Sequence, residues 1–169
     1  DIEALGPKIM DRFLDEGLIT DAADIFTLKK GDIEVLERFG AKSAENIVNE
    51  VEQKKTITLP RFIYSLGILH VGEETAGLLA KTVSSCQPPT AKPQAVLKIF
   101  QKLSLEDLQK ISDIGPVVAQ SIFGWFRDKQ NVRLVEKLDR VGVEIKNKES
   151  GIMNNGKLNG KIFVLTGSL

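Results

Sequence analysis

Apolar residues recur three and four positions apart along most of the first 142 residues. Ile9, Phe13 and Leu14 mark one such stretch, and Ala44, Ile47, Val48 and Val51 mark another. This spacing stripes one face of a helix and predicts a chain of short amphipathic helices. Start signals agree. Thr58 before Pro60 suits an N-cap followed by a first-turn proline. Ser104-Leu105-Glu106-Asp107 has the form of a capping box with Asp in the closing position. Glycines interrupt the helices too often for a long bundle. Two stretches read as loops: residues 84–93, with Pro88, Pro89 and Pro93, and the polar run 146–156. After them Ile162-Phe163-Val164-Leu165 has the composition of a β-strand.

The helices carry an internal repeat. Ile2-Glu3-Ala4-Leu5-Gly6, Leu36-Glu37-Arg38-Phe39-Gly40, Ile68-Leu69-His70-Val71-Gly72 and Ile111-Ser112-Asp113-Ile114-Gly115 share one pattern. Each has an apolar residue, two variable residues, a second apolar residue and a glycine. The glycines are 34, 32 and 43 residues apart, and alanine follows four positions after three of them, at Ala44, Ala76 and Ala119. The pattern predicts four helix-hairpin-helix motifs. Leu5, Phe39, Val71 and Ile114 should plug between paired helices, and the alanines should let those helices close up. The glycines should supply a backbone conformation that a Cβ hinders. The second helix of each motif then starts with amides that lack intrahelical partners, at the positive end of its dipole. A phosphate oxygen suits such a site.

Composition narrows the partner. The chain has 169 residues, 42% apolar and 27% charged, with 23 basic and 23 acidic side chains. A neutral chain does not bind nucleic acid by bulk positive charge, so binding must rest on local geometry. Candidate phosphate-binding residues are Gly6 and Lys8, then Arg38, Gly40, Lys42 and Ser43, then His70, Gly72 and Thr75, and finally Gly115. Lys8 and Lys42 lie two residues past their glycines. Ser43 and Thr75 offer hydroxyls, and Arg38 and His70 lie within their hairpins. Glu73, Glu74 and Asp113 make the third and fourth hairpins acidic, so the first two should carry more of the contact. A lone histidine is as often a solvent-facing residue as a ligand. A plainer reading makes the glycines simple turns between packed helices; four copies in register favour the phosphate reading.

Other chemistry has thin support. The single cysteine, Cys86, excludes an internal disulfide and a cysteine-rich zinc site, and a proline-rich loop is a poor setting for a nucleophile. No apolar run approaches membrane-spanning length. The chain opens Asp1-Ile2-Glu3 without an apolar leader and closes on a strand pattern, so it reads as a piece of a longer polypeptide. A DNA glycosylase would need a catalytic aspartate downstream of a hairpin, for which Asp139 is the candidate. A helical protein-interaction module is the other rival.

The four hairpins, Thr58-Leu59-Pro60-Arg61-Phe62-Ile63-Tyr64-Ser65-Leu66-Gly67-Ile68, and Asp113-Ile114-Gly115-Pro116-Val117-Val118-Ala119 together resemble bacterial NAD-dependent DNA ligases. The closing Gly160-Lys161-Ile162-Phe163-Val164-Leu165-Thr166-Gly167 resembles the first strand of that family's BRCT domain. Residues 84–95 are longer than the family's usual connection. The resemblance implies an all-α fold of four hairpins in two pseudo-symmetric pairs over 1–145, a linker over 146–159 and a truncated strand over 160–169. It also implies duplex DNA, preferably nicked, as partner, with the other domains of the same ligase. A monomer in the bacterial cytoplasm, nucleoid-associated and without a membrane, is expected. NAD, magnesium and a structural zinc are implied for the full enzyme and none of them for this segment, which should be inactive alone.

Overall fold

The computed structural model describes residues 2, 3, 5–84 and 90–146. The linker expected over 146–159, apart from Lys146, lies outside the described residues, as do the closing strand pattern and Cys86. Nine helices form among those described: α1 (Pro7–Asp15), α2 (Lys30–Glu34), α3 (Ala41–Gln53), α4 (Leu59–Ser65), α5 (Glu73–Ser84), α6 (Pro93–Lys102), α7 (Leu105–Gln109), α8 (Pro116–Trp125) and α9 (Lys129–Arg140). A 3₁₀ turn spans Asp24–Thr27. Helix α2 packs on α3, α4 on α5, and α7 on α8, so three of the repeats join two packed helices through a hairpin. The turn of the first repeat leads into α1.

The all-α expectation needs one correction. Short strands β1 (Thr56–Thr58), β2 (Thr90–Ala91) and β3 (Glu144–Lys146) form a sheet in the order β1-β3-β2. β3 pairs in parallel with β1, setting Ile57 beside Ile145, and antiparallel with β2. Part of the proline-bearing loop is thus extended and paired. These strands are too short for an alternating pattern to stand out in sequence, and only Ile145 shows the buried centre between exposed neighbours.

Two apolar cores result. The smaller holds Phe13, Ile33, Ala44, Ile47 and Val51 from α1, α2 and α3. The larger gathers Phe62, Ile63, Leu79, Phe100, Ala119, Ile122, Phe126 and Ile145, among others. The first two repeats feed the smaller core, and the last two feed the larger. Phe100 and Phe126 stack with ring centroids 4.3 Å apart. Arg127 locks the end of α6, donating to the carbonyls of Gln101 (2.7 Å) and Leu103 (3.0 Å) while its guanidinium lies over the Phe123 ring. This satisfies carbonyls that a helix end leaves unpaired.

The capping box at α7 forms as the sequence predicts. Asp107 N donates to Ser104 Oγ at 3.1 Å, and Ser104 N donates to Asp107 Oδ2 at 3.2 Å. The Ser104 hydroxyl and amide, with Lys110 beside them, hold the Asp107 carboxyl down to about 2. Thr58 occupies the N-cap position of α4 without a side-chain cap bond, and Pro60 falls in the first turn.

Candidate nucleic-acid interface

The four repeats close in the same way. In each, the second apolar residue donates its amide to the carbonyl three residues earlier: Leu5 to Ile2 (3.4 Å), Phe39 to Leu36 (3.0 Å), Val71 to Ile68 (3.0 Å) and Ile114 to Ile111 (3.2 Å). The third residue of three of these turns is left-handed, with φ of +73° at Arg38, +66° at His70 and +64° at Asp113. A positive φ at that position is the signature of a type II turn. Three chemically unlike side chains therefore share one backbone role. Asp and His tolerate this region better than most residues, and Arg38 holds it without that help.

The glycine expectation is corrected by this geometry. Gly6, Gly40 and Gly115 have φ of −74°, −94° and −76° with extended ψ, which any residue adopts. A Cβ added at these glycines or at Gly72 would meet nothing within 4 Å. Conformation and internal packing do not require glycine here. Position offers a different reason. Gly6, Gly40 and Gly115 are the N-cap residues of α1, α3 and α8, and none has a side-chain cap bond. By contrast, Ser104 caps α7 and Asp128 caps α9 through their side chains. A glycine N-cap leaves the first-turn amides uncovered, where a Ser, Thr, Asp or Asn side chain would accept from them.

The uncovered donors differ between hairpins. At Gly40 the amides of Ala41, Lys42 and Ser43 precede the first helical bond, which runs from Ala44 N to the Gly40 carbonyl at 3.0 Å. The third hairpin has the same first helical bond, with Ala76 N donating to the Gly72 carbonyl at 2.9 Å. Pro7 and Pro116 remove one donor each at the first and fourth hairpins. Ala44, Ala76 and Ala119 are fully buried, as close helix packing requires. The plugs are uneven: Val71 and Ile114 are buried, whereas Leu5 and Phe39 are half-buried at the margin of the smaller core.

The side chains sort the hairpins further. Lys8, Arg38, Lys42 and Ser43 are exposed, and none of the three cations has an ion-pair partner among the described residues. His70 faces solvent and Thr75 is half-buried. The position two past the glycine holds Lys8 and Lys42 in the first two hairpins but Glu74 and Val117 in the others, and Val117 is 65% exposed. This difference is legible in the sequence once the repeats are aligned on their glycines. The left-handed position two before the glycine carries no such residue-type signal.

Asp139 has a structural task. Its Oδ1 accepts from Gln94 N at 3.2 Å, at the start of α6, which lacks a cap of its own. The glycosylase reading finds no support there. Among the described residues no group of three His, Cys, Asp or Glu side chains is arranged to hold a metal ion. No helix among them is long and apolar enough to cross a membrane.

Comparison with known proteins agrees with the hairpins. Residues 1–53 match the family described as a SAM-like helix-hairpin-helix tandem, which takes in the first two repeats. Residues 91–135 match the helix-hairpin-helix motif, which takes in the fourth. The whole chain is 43% identical to a DNA ligase of Coxiella burnetii (strain CbuK_Q154), covering 23% of that protein. It is 40% identical to a DNA ligase of Nitrosococcus oceani, covering 23%, and 39% identical to one of Thermoanaerobacter sp. (strain X514), covering 24%. The chain spans about a quarter of the length of these relatives. It is thus homologous, from end to end, to one segment of the bacterial DNA ligases.

Proposed function

We propose that this chain is the DNA-gripping segment of an NAD-dependent DNA ligase, holding duplex DNA at a nick through its sugar-phosphate backbone without reading base sequence. The observation that carries the reading is the repeated turn that delivers a helix whose first amides no side chain caps. Such amides sit at the positive end of the helix dipole and suit a phosphate oxygen. The neutral overall charge is compatible with this, because the donors are backbone groups. The four hairpins act as two pairs, one on each core. Gly6, Gly40, Gly72 and Gly115 leave the amides open, and Lys8, Arg38, Lys42, Ser43, His70 and Thr75 supplement them. The first two hairpins bind phosphate more strongly, because only they add cations. The segment works as a monomer in the bacterial cytoplasm, at the nucleoid.

The resemblance to the ligases implies NAD, magnesium and a structural zinc for the full enzyme. On this reading those groups, and the sealing chemistry, belong to the rest of the ligase polypeptide, and the segment alone does not seal nicks. Binding of the chain to nicked duplex, measured at several salt concentrations, tests the reading. Log affinity should fall against log salt with a slope of roughly −0.9 per phosphate neutralised. Absent or salt-independent binding would refute it in favour of a helical protein-interaction module.

A further inference from the structure

The two cores meet at a narrow joint. Among the described residues the most extensive helix pairings, α2 with α3, α4 with α5, α6 with α9 and α7 with α8, each lie within one half. Ala23, fully buried, reaches from the first half into the larger core, and Phe26 packs against both cores. A groove of about 740 Å³ runs beside them, with Ile2 and Ile25 on one side and Tyr64 and Leu134 on the other. A joint this slender leaves relative rotation of the halves as the default.

At the chain crossing from α3 into β1, Glu144 N donates to the Lys55 carbonyl at 2.8 Å; one side-chain device also spans the joint. The turn at residues 20–24 orients two carboxylates through its own donors. Asp24 Oδ2 accepts from Thr20 N (2.9 Å), Thr20 Oγ1 (2.7 Å) and Asp21 N (3.2 Å). Asp21 Oδ1 accepts from Ala23 N (2.8 Å) and Asp24 N (3.2 Å). The other oxygen of each carboxylate faces Lys137 Nζ on α9, at 2.9 Å from Asp21 Oδ2 and 2.5 Å from Asp24 Oδ1. Lys137 is 116 residues from Asp21 in sequence and belongs to the other half. The remaining ion pairs among the described residues join neighbours within one half. With five hydrogen bonds already made inside the turn, the carboxylates need little further ordering to take the ammonium group, which lowers the entropic cost of the contact.

We propose that Lys137, clasped between Asp21 and Asp24, is a positioning residue that sets the angle between the two hairpin pairs and so decides whether one duplex engages both. This rests on the DNA-gripping reading above, and one arm of its test does not. Loosening the joint would leave each core intact while spreading the second pair of hairpins over many orientations, diluting it at the duplex.

The test compares the wild-type chain with Lys137→Met and Lys137→Arg. Spin labels at Asn49 on α3 and Lys98 on α6, introduced as cysteines with Cys86→Ser, report the distance between the halves by pulsed electron resonance. Circular dichroism and amide exchange within each core verify folding. The expected result is a broadened distance distribution in Lys137→Met and a wild-type distribution in Lys137→Arg. Nicked-duplex affinity should fall roughly fivefold to tenfold in the Met variant, with a shallower salt slope, as effective concentration is lost. The Arg variant should restore both. An unchanged distance distribution in folded Lys137→Met overturns the proposal, and so does a broadened one with unchanged affinity and slope. If wild-type chain fails to bind duplex while Lys137→Met still broadens the distribution, the gripping reading falls and the positioning of the halves by Lys137 stands.

Discussion

Replacing Gly40 by aspartate should raise stability and lower DNA affinity together. Gly40 is the N-cap of α3 at φ −94° and ψ 163°, a conformation open to any residue, and an added Cβ meets nothing within 4 Å. The folded state therefore has room for the side chain. An aspartate there accepts from the free amides of the first turn, which improves on glycine by a few tenths of a kcal/mol. Its negative charge at the helix N-terminus adds ~0.3–1 kcal/mol. The two effects together correspond to a rise in Tm of roughly 1–4 °C for a domain of this size. The same side chain occupies the donors proposed for phosphate and places a like charge beside it. Losing a charge-assisted hydrogen bond costs ~1.5–3 kcal/mol, which is roughly a 10- to 150-fold loss of affinity.

The assay pairs thermal unfolding with nicked-duplex binding at fixed salt. Asn49→Asp is the control. It makes the same charge change on an exposed position of the same helix, about 14 Å further along the axis. At physiological salt that exceeds the screening length of about 8 Å, so its effect on binding should be small. If Gly40→Asp raised Tm yet bound within twofold of wild type, the amides of α3 would not be phosphate donors. If Tm instead fell by several degrees, the strain-free N-cap geometry itself would be wrong. The plain alternative, in which Gly40 only turns the chain, predicts no change in binding. The opposite signs of the two effects are what separate the readings.

Three further outcomes follow from the same geometry. Lys42→Glu should weaken nicked-duplex binding severalfold and make the salt slope shallower by ~0.9, without altering base preference across duplexes of different sequence; an unchanged slope would remove Lys42 from the interface. His70→Val should cost ~1–3 kcal/mol in chemical denaturation because a β-branched residue is forced to φ +66°, whereas His70→Gly should be close to neutral; equal stability of the two would contradict the left-handed turn. Asp24 titrates below its ordinary value of 3.8, chiefly because Lys137 hydrogen-bonds its charged form, and Lys137 titrates above 10.5 because of Asp24 and then Asp21. The depressed Asp24 contributes stability above about pH 4 that is lost as pH falls further, and the raised Lys137 contributes stability below pH 10.5 that is lost above it. After screening of a partly exposed pair this is on the order of 1 kcal/mol. Stability curves of wild type and Lys137→Met should therefore converge at both extremes of pH and differ between them.

The parts of the fold that were readable in the sequence depend on patterns longer than a helical turn. The capping box at Ser104 and Asp107, the buried Ala44, Ala76 and Ala119, and the four turns in register all follow from residue type and spacing. The sheet does not, because each strand has two or three residues and Ile57 finds Ile145 only through a closure of 88 positions. Nor does the clasp: Asp21 and Asp24 look like ordinary turn residues, and Lys137 looks like one more cation in a charged helix. Its partners are set by how two separately packed cores dock.

The glycines show where reading by residue type gave a conformational reason that the geometry overturns. Glycine at a turn suggests a positive φ, yet the positive φ falls two residues earlier, on Arg38, His70 and Asp113. In all three turns the i to i+3 bond closes around that left-handed position, which Arg, His and Asp occupy alike. That leaves the glycine free of any internal task, and the space over it is open. A residue that the fold does not need to be glycine, placed four times at the start of a helix, is most simply explained by what must approach from outside. A group that needs unshielded amides and close access to backbone is one rich in acceptor oxygens, and phosphate is the chemistry that fits a neutral protein with such a surface. On the proposed reading the cations at Lys8 and Lys42 tune a site whose basic design is in the backbone, which is why charge reversal at Lys42 should weaken the grip while aspartate at Gly40 should block its donors outright.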